Sequence, residues 1–396
     1  MRPVGDLAFS EGSSFRDILM IAEKKKPKLS DNTKVIFLKK SVREMNSQEL
    51  KPIFRTIELN QECETSDMAI RSFSYKELKA SKANLMRFFS FKKKDLLDLE
   101  KKIEDSNLLK NIEESSFPEG FHASPKGLSQ IVFITNPITP KRIKRAFLVV
   151  KREEKLDIIA EMKGTKMTIN IPKKILHPAL RSITGIKNIK LKEHDFFIYQ
   201  KYEDFNVISN ISKWNEKIQI DWDKIKKEAE EKSGFLLLPE RFNPYSINTH
   251  LLAFISEQKI VIPHTIRFGN NLNIQESIIQ GLFINSSVFL SQILINREET
   301  SGQYLHIMTA DLILMKIFDC NNLKDSDKKE LIKLYEKIKA IDYPSILEQF
   351  ERRFKPRIEL DKTILKILGF SIKEINDWLP KIYDAIKDEL KAMKNI

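Results

Sequence analysis

The fold is decided by residues 131–171, IVFITNPITPKRIKRAFLVVKREEKLDIIAEMKGTKMTINI. Four short runs of mainly apolar and β-branched residues are separated here by turns that contain Pro, Gly or charged residues: IVFIT, AFLVV, LDIIAEM and KMTINI. Runs of this length between turn residues predict β-strands. A further run, IKLKEHDFFIY, follows at 189–199. We therefore predict a β-rich domain, which we place at residues 121–320.

The flanking regions have a helical pattern. Within residues 46–120, SQELKPIFRTI and the segment from SKANLMRFF to LLKNI carry apolar residues at spacings of three and four, which predicts a helical connector. Residues 321–396 are predicted to be helical as well. In DWLPKIYDAIKDEL one helix face is apolar, which indicates a packing face: its members are Leu379, Ile382, Tyr383, Ile386 and Leu390. The fold class predicted for the whole chain is α+β.

The first block, residues 1–45, contains two short apolar runs, FRDILMIA at 15–22 and VIFL at 35–38. The charged, Pro-containing segment between them predicts an antiparallel β-hairpin. Because a hairpin of this size is at best marginally stable alone, we expect it to complete a larger sheet.

Composition favours a folded protein with an anionic partner. The chain has 396 residues, 41% hydrophobic, with a formal net charge of +13 and a pI near 9.3. This excess of cations indicates nucleic acid as a partner, the alternative being a solubilising surface. Cys63 and Cys320 are too few for a disulfide framework, and no Cys/His spacing predicts a metal site. Without a bilayer-spanning apolar run or a signal-peptide pattern, we expect a cytoplasmic protein with no membrane partner.

Three segments resemble one family, the adenine-specific DNA methyltransferases of restriction–modification systems in which modification and recognition share one chain. The first is LAFSEGSSFRDILMIAEK at 7–24, the second runs from Arg241 to Gly302, and the third is PRIELDKTILKILGF with the helical end that follows it. The positions that carry the first two matches are Phe9, Ser10, Gly12, Ser13, Asn285, Ser286, Ser287, Arg297, Glu298, Glu299, Thr300 and Gly302.

The resemblance implies a division of roles between this chain and another part of the enzyme. The family's catalytic motif is Asn/Asp-Pro-Pro-Tyr/Phe, but Pro-Pro does not occur here and the nearest triplet is Asn136-Pro137-Ile138. No Gly-containing loop for the methyl donor precedes Leu7 either. The implied fold is a hairpin that completes a methyltransferase sheet lying upstream, then a target-recognition domain and a helical tail. We expect no catalytic residue and no cofactor in this chain, with S-adenosylmethionine on a separate methyltransferase domain or subunit.

In this family the recognition domain would bind double-stranded DNA, which requires Lys, Arg, Asn and Gln side chains near bases and phosphates. The β-rich region carries basic residues on predicted turns, in TPKRIKR, in KGTK and beyond. The predicted DNA-binding residues are Lys141, Arg142, Lys144, Arg145, Lys163, Lys166, Lys173, Lys174 and Arg181. The alternative is a solvated basic edge without a ligand.

Other segments have alternative interpretations. NREETSGQY at 296–304 is interpreted either as a recognition loop or as an ion-pair network at a helix end, and Asn285-Ser286-Ser287 as a local hydrogen-bonding cap. Asp157, Glu161 and Lys163 have the spacing of some metal-dependent nuclease sites, although no Pro-Asp partner accompanies them. A non-enzymatic remnant or interaction protein is a further alternative.

Overall fold

The structure is a computed structural model that describes residues 2–3, 26, 28, 31–38, 45–59, 62–64, 68–80, 94–122, 128, 132–137, 146–165, 167–202, 220–296 and 305–394. The described strands are β1 Arg2–Pro3, β2 Asn32–Leu38, β3 Cys63–Glu64, β4 Met68–Ser74, β5 Leu109–Asn111, β6 Phe133–Thr135, β7 Leu148–Glu153, β8 Asp157–Met162, β9 Thr168–Pro172, β10 Leu176–Ala179, β11 Asp195–Ile198, β12 Ser233–Pro239, β13 Arg241–Phe242, β14 Phe254–Val261, β15 Ile266–Phe268, β16 Leu305–His306 and β17 Lys316–Phe318. The described α-helices are α1 Ser47–Glu58, α2 Tyr75–Ala80, α3 Lys94–Glu104, α4 Trp222–Glu231, α5 Ile274–Ile284, α6 Ser287–Asn296, α7 Thr309–Leu312, α8 Asp325–Ile338, α9 Ile346–Glu351, α10 Lys355–Ile367 and α11 Ile372–Lys394.

A nine-stranded mixed sheet dominates the middle of the chain. Its strand order is β15-β12-β14-β10-β11-β6-β7-β8-β9, and the described pairs are antiparallel except β6–β7 and β10–β14. The predicted strands in IVFIT, AFLVV, LDIIAEM, KMTINI and HDFFIY are confirmed as β6, β7, β8, β9 and β11. Together with the helical C-terminal region, this sheet confirms the α+β fold class.

Two hydrophobic cores share this sheet. Strands β6–β11 pack with α4 around Phe133 and Phe197. Strands β12, β14 and β15 belong instead to a larger core that includes α5, α6 and the C-terminal helices. The two parts of the sheet meet where β10 and β14 pair in parallel through Ala179 and Val261. The nine-stranded sheet lies within the range predicted for the β-rich domain, while the domain boundaries themselves stay predictions.

The N-terminal pairing differs from the prediction. Residues 35–38 do form a strand, but β2 pairs along its length with β4, in a four-stranded sheet of order β1-β2-β4-β3. The predicted hairpin partner, residues 15–22, lies outside the described residues. Residues 68–74 were expected within a helical connector, and this was wrong: β4 buries Met68, Ile70 and Phe73 against neighbouring elements. Helices α1 and α3 confirm the helical prediction on either side.

The C-terminal region is helical, as predicted. All five apolar residues of the predicted packing face in α11 are buried: Leu379, Ile382, Tyr383, Ile386 and Leu390. Within the described part of the chain no single helix is long and apolar enough to cross a membrane. Helices α5 and α6 are long and apolar enough only when they are taken together, and the pair is bent by 66° at the break between them.

Candidate nucleic-acid interface

The last three strands of the nine-stranded sheet have one buried and one outward face. Along β8, Ile158, Ala160 and Met162 are buried, whereas Asp157 and Glu161 alternate with them and are partly exposed. Period-two alternation places one set of side chains against the core and the other towards solvent. The outward face of β8 therefore carries two carboxylates with Ile159 between them.

Strand β9 lies at the edge of the sheet and repeats the alternation. Ile169 and Ile171 are buried, while Thr168 and Asn170 are exposed. The register places Thr168 opposite Glu161 and Asn170 opposite Ile159. Neither outward residue is among the predicted DNA-binding residues, which are all Lys or Arg. The alternation in TINIP was the signal that could have identified them.

The KGTK turn joins β8 to β9 and is held by its own hydrogen bonds. The Thr165 hydroxyl donates to the Met162 carbonyl at 3.0 Å, and the Met167 N–H donates to the Thr165 hydroxyl at 3.2 Å. Gly164 has φ +88°, a conformation that side chains with a Cβ rarely adopt. Lys163 is exposed on this turn. A preorganised turn therefore presents a lysine at one end of β8 and β9.

The start of β7 lies beside this turn, since the Lys163 N–H donates to the Phe147 carbonyl at 2.9 Å. In sequence, β7 is preceded by the basic TPKRIKR segment. Five of the predicted DNA-binding residues lie outside the described residues: Lys141, Arg142, Lys144, Arg145 and Lys166.

Two other predicted residues, Lys173 and Lys174, lie at the opposite end of β9. Lys174 is exposed, and its carbonyl accepts the Tyr199 hydroxyl at 2.6 Å. Lys173 pairs with Glu153 at 2.7 Å. At about 3.4 Å per residue, the five residues of β9 separate these lysines from the KGTK turn by roughly 17 Å.

Arg181, the last predicted DNA-binding residue, differs from these lysines because it is half-buried. Its backbone N–H donates to a carboxylate oxygen of Asp195 at 2.7 Å. Burial lowers the pKa of the guanidinium. The nearby Asp195 carboxylate opposes this effect, but the net shift of the pKa is downward. Its Nη1 is buried and has no hydrogen-bond partner among the described residues. Arg181 thus differs from the exposed lysines in its burial and in its link to Asp195.

The geometry does not favour the nuclease alternative. Asp157 and Glu161 lie four residues apart on one strand, about 13 Å at the usual rise, which is too far for both to bind one ion. The Glu161 carboxylate pairs instead with Lys151 at 2.5 Å. Among the residues that the structure describes, no three His, Cys, Asp or Glu side chains are grouped as metal ligands.

Asn285, a family-motif position, lies between α5 and α6 and is fully buried. Its Oδ1 accepts the backbone N–H groups of Leu252 and Ala253 at 2.8 and 3.0 Å. Its Nδ2 donates to the carbonyls of Ala253 and Gly281 at 2.8 and 3.0 Å. One side chain thus satisfies four buried backbone groups and fixes the segment leading into β14 against the end of α5.

The next two motif residues hold the start of α6. The Ser286 hydroxyl accepts the Phe289 N–H at 3.3 Å, which is an N-cap hydrogen bond. The Ser287 N–H donates to Asp361 of α10 at 2.7 Å, and the Ser287 hydroxyl donates to the same carboxylate. The prediction of a local hydrogen-bonding cap is confirmed for Ser286, whereas Asn285 and Ser287 bond mainly to residues that are remote in sequence. The other motif positions lie outside the described residues: Phe9, Ser10, Gly12, Ser13, Arg297, Glu298, Glu299, Thr300 and Gly302.

Asp361 joins three elements of the C-terminal core. Besides Ser287 it accepts the hydroxyl of Tyr383, on α11, at 2.5 Å. Burial raises the pKa of this carboxyl, while Arg357 and the hydrogen bonds to Ser287 and Tyr383 lower it, and the net shift is upward. The third resembling segment, PRIELDKTILKILGF, therefore contributes a buried polar centre that α6, α10 and α11 share.

The raised pKa of Asp361 predicts a dependence of stability on pH. Because the folded chain holds the Asp361 proton more tightly than the unfolded chain, this group stabilises the fold less as the pH rises from about 4 towards the raised folded pKa. Urea denaturation at several pH values, for wild type and Asp361→Asn, measures this. We expect the wild-type free energy of unfolding to fall relative to that of the variant as the pH increases. A difference that stays constant with pH would contradict the raised pKa.

Comparisons with known proteins identify a fold but no family. No family model matches the chain, and no curated protein matches its sequence. Among solved structures, the fold is similar to that of the type IIG restriction endonuclease BpuSI, with a TM-score of 0.50 and 14% identity. The match covers 91% of this chain and 40% of that protein, so the chain spans less than half of its length. The expected resemblance to part of a restriction–modification enzyme is confirmed at the level of the fold.

Proposed function

We propose that this chain is the DNA-recognition part of a restriction–modification enzyme. The observation that carries the proposal is the similarity of nearly the whole chain to part of a type IIG restriction endonuclease. The net charge of +13 supports it, since such a chain attracts a polyanion. The outward face at the β9 edge supports it further, because it combines polar side chains with exposed lysines at both ends.

In this proposal the chain binds double-stranded DNA, and methyl transfer is carried out elsewhere. Lys163 and Lys174 contact phosphates, which position the protein without distinguishing sequences. The methyl donor S-adenosylmethionine binds to a separate methyltransferase domain or subunit that carries an Asn-Pro-Pro-Tyr/Phe motif. The buried residues Asn285, Ser287 and Asp361 have a structural role, which is to hold the helical region together behind the sheet.

Equilibrium binding to duplex DNA tests the recognition role. Fluorescence anisotropy with labelled duplexes, measured across a series of salt concentrations, is expected to give an affinity that falls steeply as salt increases, because binding releases counterions. Absence of binding to any duplex at low salt would overturn the proposal.

A methyl-transfer assay tests the division of roles. Incubation of this chain with duplex DNA and labelled S-adenosylmethionine is expected to give no transfer. Transfer is expected when a polypeptide carrying the Asn-Pro-Pro-Tyr/Phe motif is added. Methylation by this chain alone would contradict the proposed division of roles, but it would not contradict the proposal that the chain binds DNA.

Lys174 is proposed to contact one phosphate. Lys174→Ala is expected to weaken binding equally for all duplexes and to reduce the slope of log affinity against log salt by about 0.9, which corresponds to one phosphate contact. The matched control is Lys329→Ala, an exposed lysine on α8, far along the chain from the sheet edge. If the slope of log affinity against log salt were the same for both variants, Lys174 would not contact a phosphate.

A further inference from the structure

The outward face of β9 carries polar groups that the fold itself does not use. Asn170 is exposed at the edge of the sheet, and its side-chain amide makes no hydrogen bond to any residue that the structure describes. Its backbone is fixed, because the β8–β9 pairing extends from Glu161–Thr168 to Asp157–Pro172. An amide on a rigid strand has both a donor and an acceptor at fixed positions, which is what recognition of a base edge requires.

The charges around Asn170 favour an approach by DNA. Exposed lysines lie at both ends of its strand: Lys163 on the KGTK turn and Lys174 beyond Pro172. The five-residue strand between them is roughly 17 Å long, which exceeds the width of the major groove, about 12 Å. A strand inserted into that groove would therefore keep its central side chain near the bases and its terminal lysines near the phosphates.

The acidic groups on the same face do not prevent this approach. Glu161 lies opposite Thr168, and Lys151 neutralises its carboxylate at 2.5 Å. Asp157 lies at the other end of β8. It pairs with Pro172, the residue that directly precedes Lys173. The direct neighbour of Asn170 across the pair is Ile159, an uncharged side chain.

We propose that Asn170 recognises an adenine through the major groove, with its amide donating to N7 and accepting from the N6 amino group. This pairing follows from the chemistry of the two partners, since an asparagine amide matches the adenine edge in a bidentate manner. The inference rests on the proposed function, and it adds the residue and the base that determine specificity.

Selection from a random duplex library tests the inference. Wild type is expected to enrich a motif with one position where adenine is required. Asn170→Ala is expected to reduce the preference for adenine at that position by about 5- to 150-fold, the equivalent of one bidentate contact. The slope of affinity against salt is expected to stay unchanged, because no phosphate contact is lost. The matched control is Asn321→Ala, an exposed asparagine outside the sheet, which is expected to leave the motif unchanged.

A second variant provides an independent measurement. Asn170→Asp keeps the size of the side chain but removes its donors, so the preference at the same position is expected to change from adenine towards cytosine, whose N4 amino group is a donor. Binding of duplex DNA by wild type without any sequence preference would overturn the inference. An unchanged adenine preference in both Asn170 variants would overturn it as well. If neither wild type nor any variant bound DNA, the proposed function would be overturned, and with it the premise of this inference.

Discussion

Asp361→Ala is expected to lower the free energy of unfolding by about 3–5 kcal/mol. Asp361 accepts three buried hydrogen bonds, two from Ser287 and one from Tyr383. Alanine leaves all three donors buried without an acceptor. The buried guanidinium of Arg357, whose charge favours the ionised carboxylate, also loses its acidic neighbour on α10. Urea denaturation followed by far-UV circular dichroism measures the loss.

The matched control lies on the same helix. Glu359 of α10 forms an exposed ion pair with Lys337 at 2.6 Å, and Glu359→Ala is expected to cost less than about 1 kcal/mol. The double variant Arg357→Met/Asp361→Ala is expected to be more stable than the sum of the single effects indicates, because it removes a buried cation together with its acidic neighbour. A loss for Asp361→Ala no larger than that for Glu359→Ala would contradict the structural role of this carboxyl.

The parts of the fold that could be predicted from the sequence are those determined by local pattern. Strands β6 to β9 follow from short apolar and β-branched runs between turn residues, and the packing face of α11 follows from its helical period. The pairing of β2 with β4 could not be predicted in this way. About thirty residues separate the two strands, and a short strand such as MAIRSFS acquires its conformation from its partners in the sheet.

The candidate site shows the same division. Positive charge at the KGTK turn and at Lys173–Lys174 was visible in the sequence, but the side of the sheet to which each residue belongs was not. Arg181 has the same charge as Lys174, yet it directly follows the buried Leu180 and is itself half-buried beside Asp195. Asn170 could not be identified from charge, because a neutral amide does not contribute to net charge. The hydrogen-bond partners of Asn285 and Ser287 lie far away in sequence, so only the folded structure identifies them.

Asn285→Ala is expected to destabilise the protein by roughly 4 kcal/mol, since each buried group left without a partner costs about 1–3 kcal/mol. The backbone N–H groups of Leu252 and Ala253 would lose their acceptor and the Ala253 carbonyl would lose a donor, while the Gly281 carbonyl would keep only the backbone N–H of residue 285. These groups cannot turn to solvent, because Leu252, Ala253 and the end of α5 are buried in the larger core. Urea denaturation of wild type and variant gives the difference.

Two further variants separate this polar role from simple loss of volume. Asn285→Asp retains an acceptor for the two N–H groups but places a carboxylate against two buried carbonyls, so it is expected to destabilise the protein at least as much as Asn285→Ala. Asn270→Ala removes one exposed hydrogen bond, to the Ser115 carbonyl at 3.2 Å, and is expected to cost less than about 1 kcal/mol. If Asn285→Asp were as stable as wild type, the donors of the amide would be unnecessary, and Asn285 would serve only to accept the two N–H groups that precede β14.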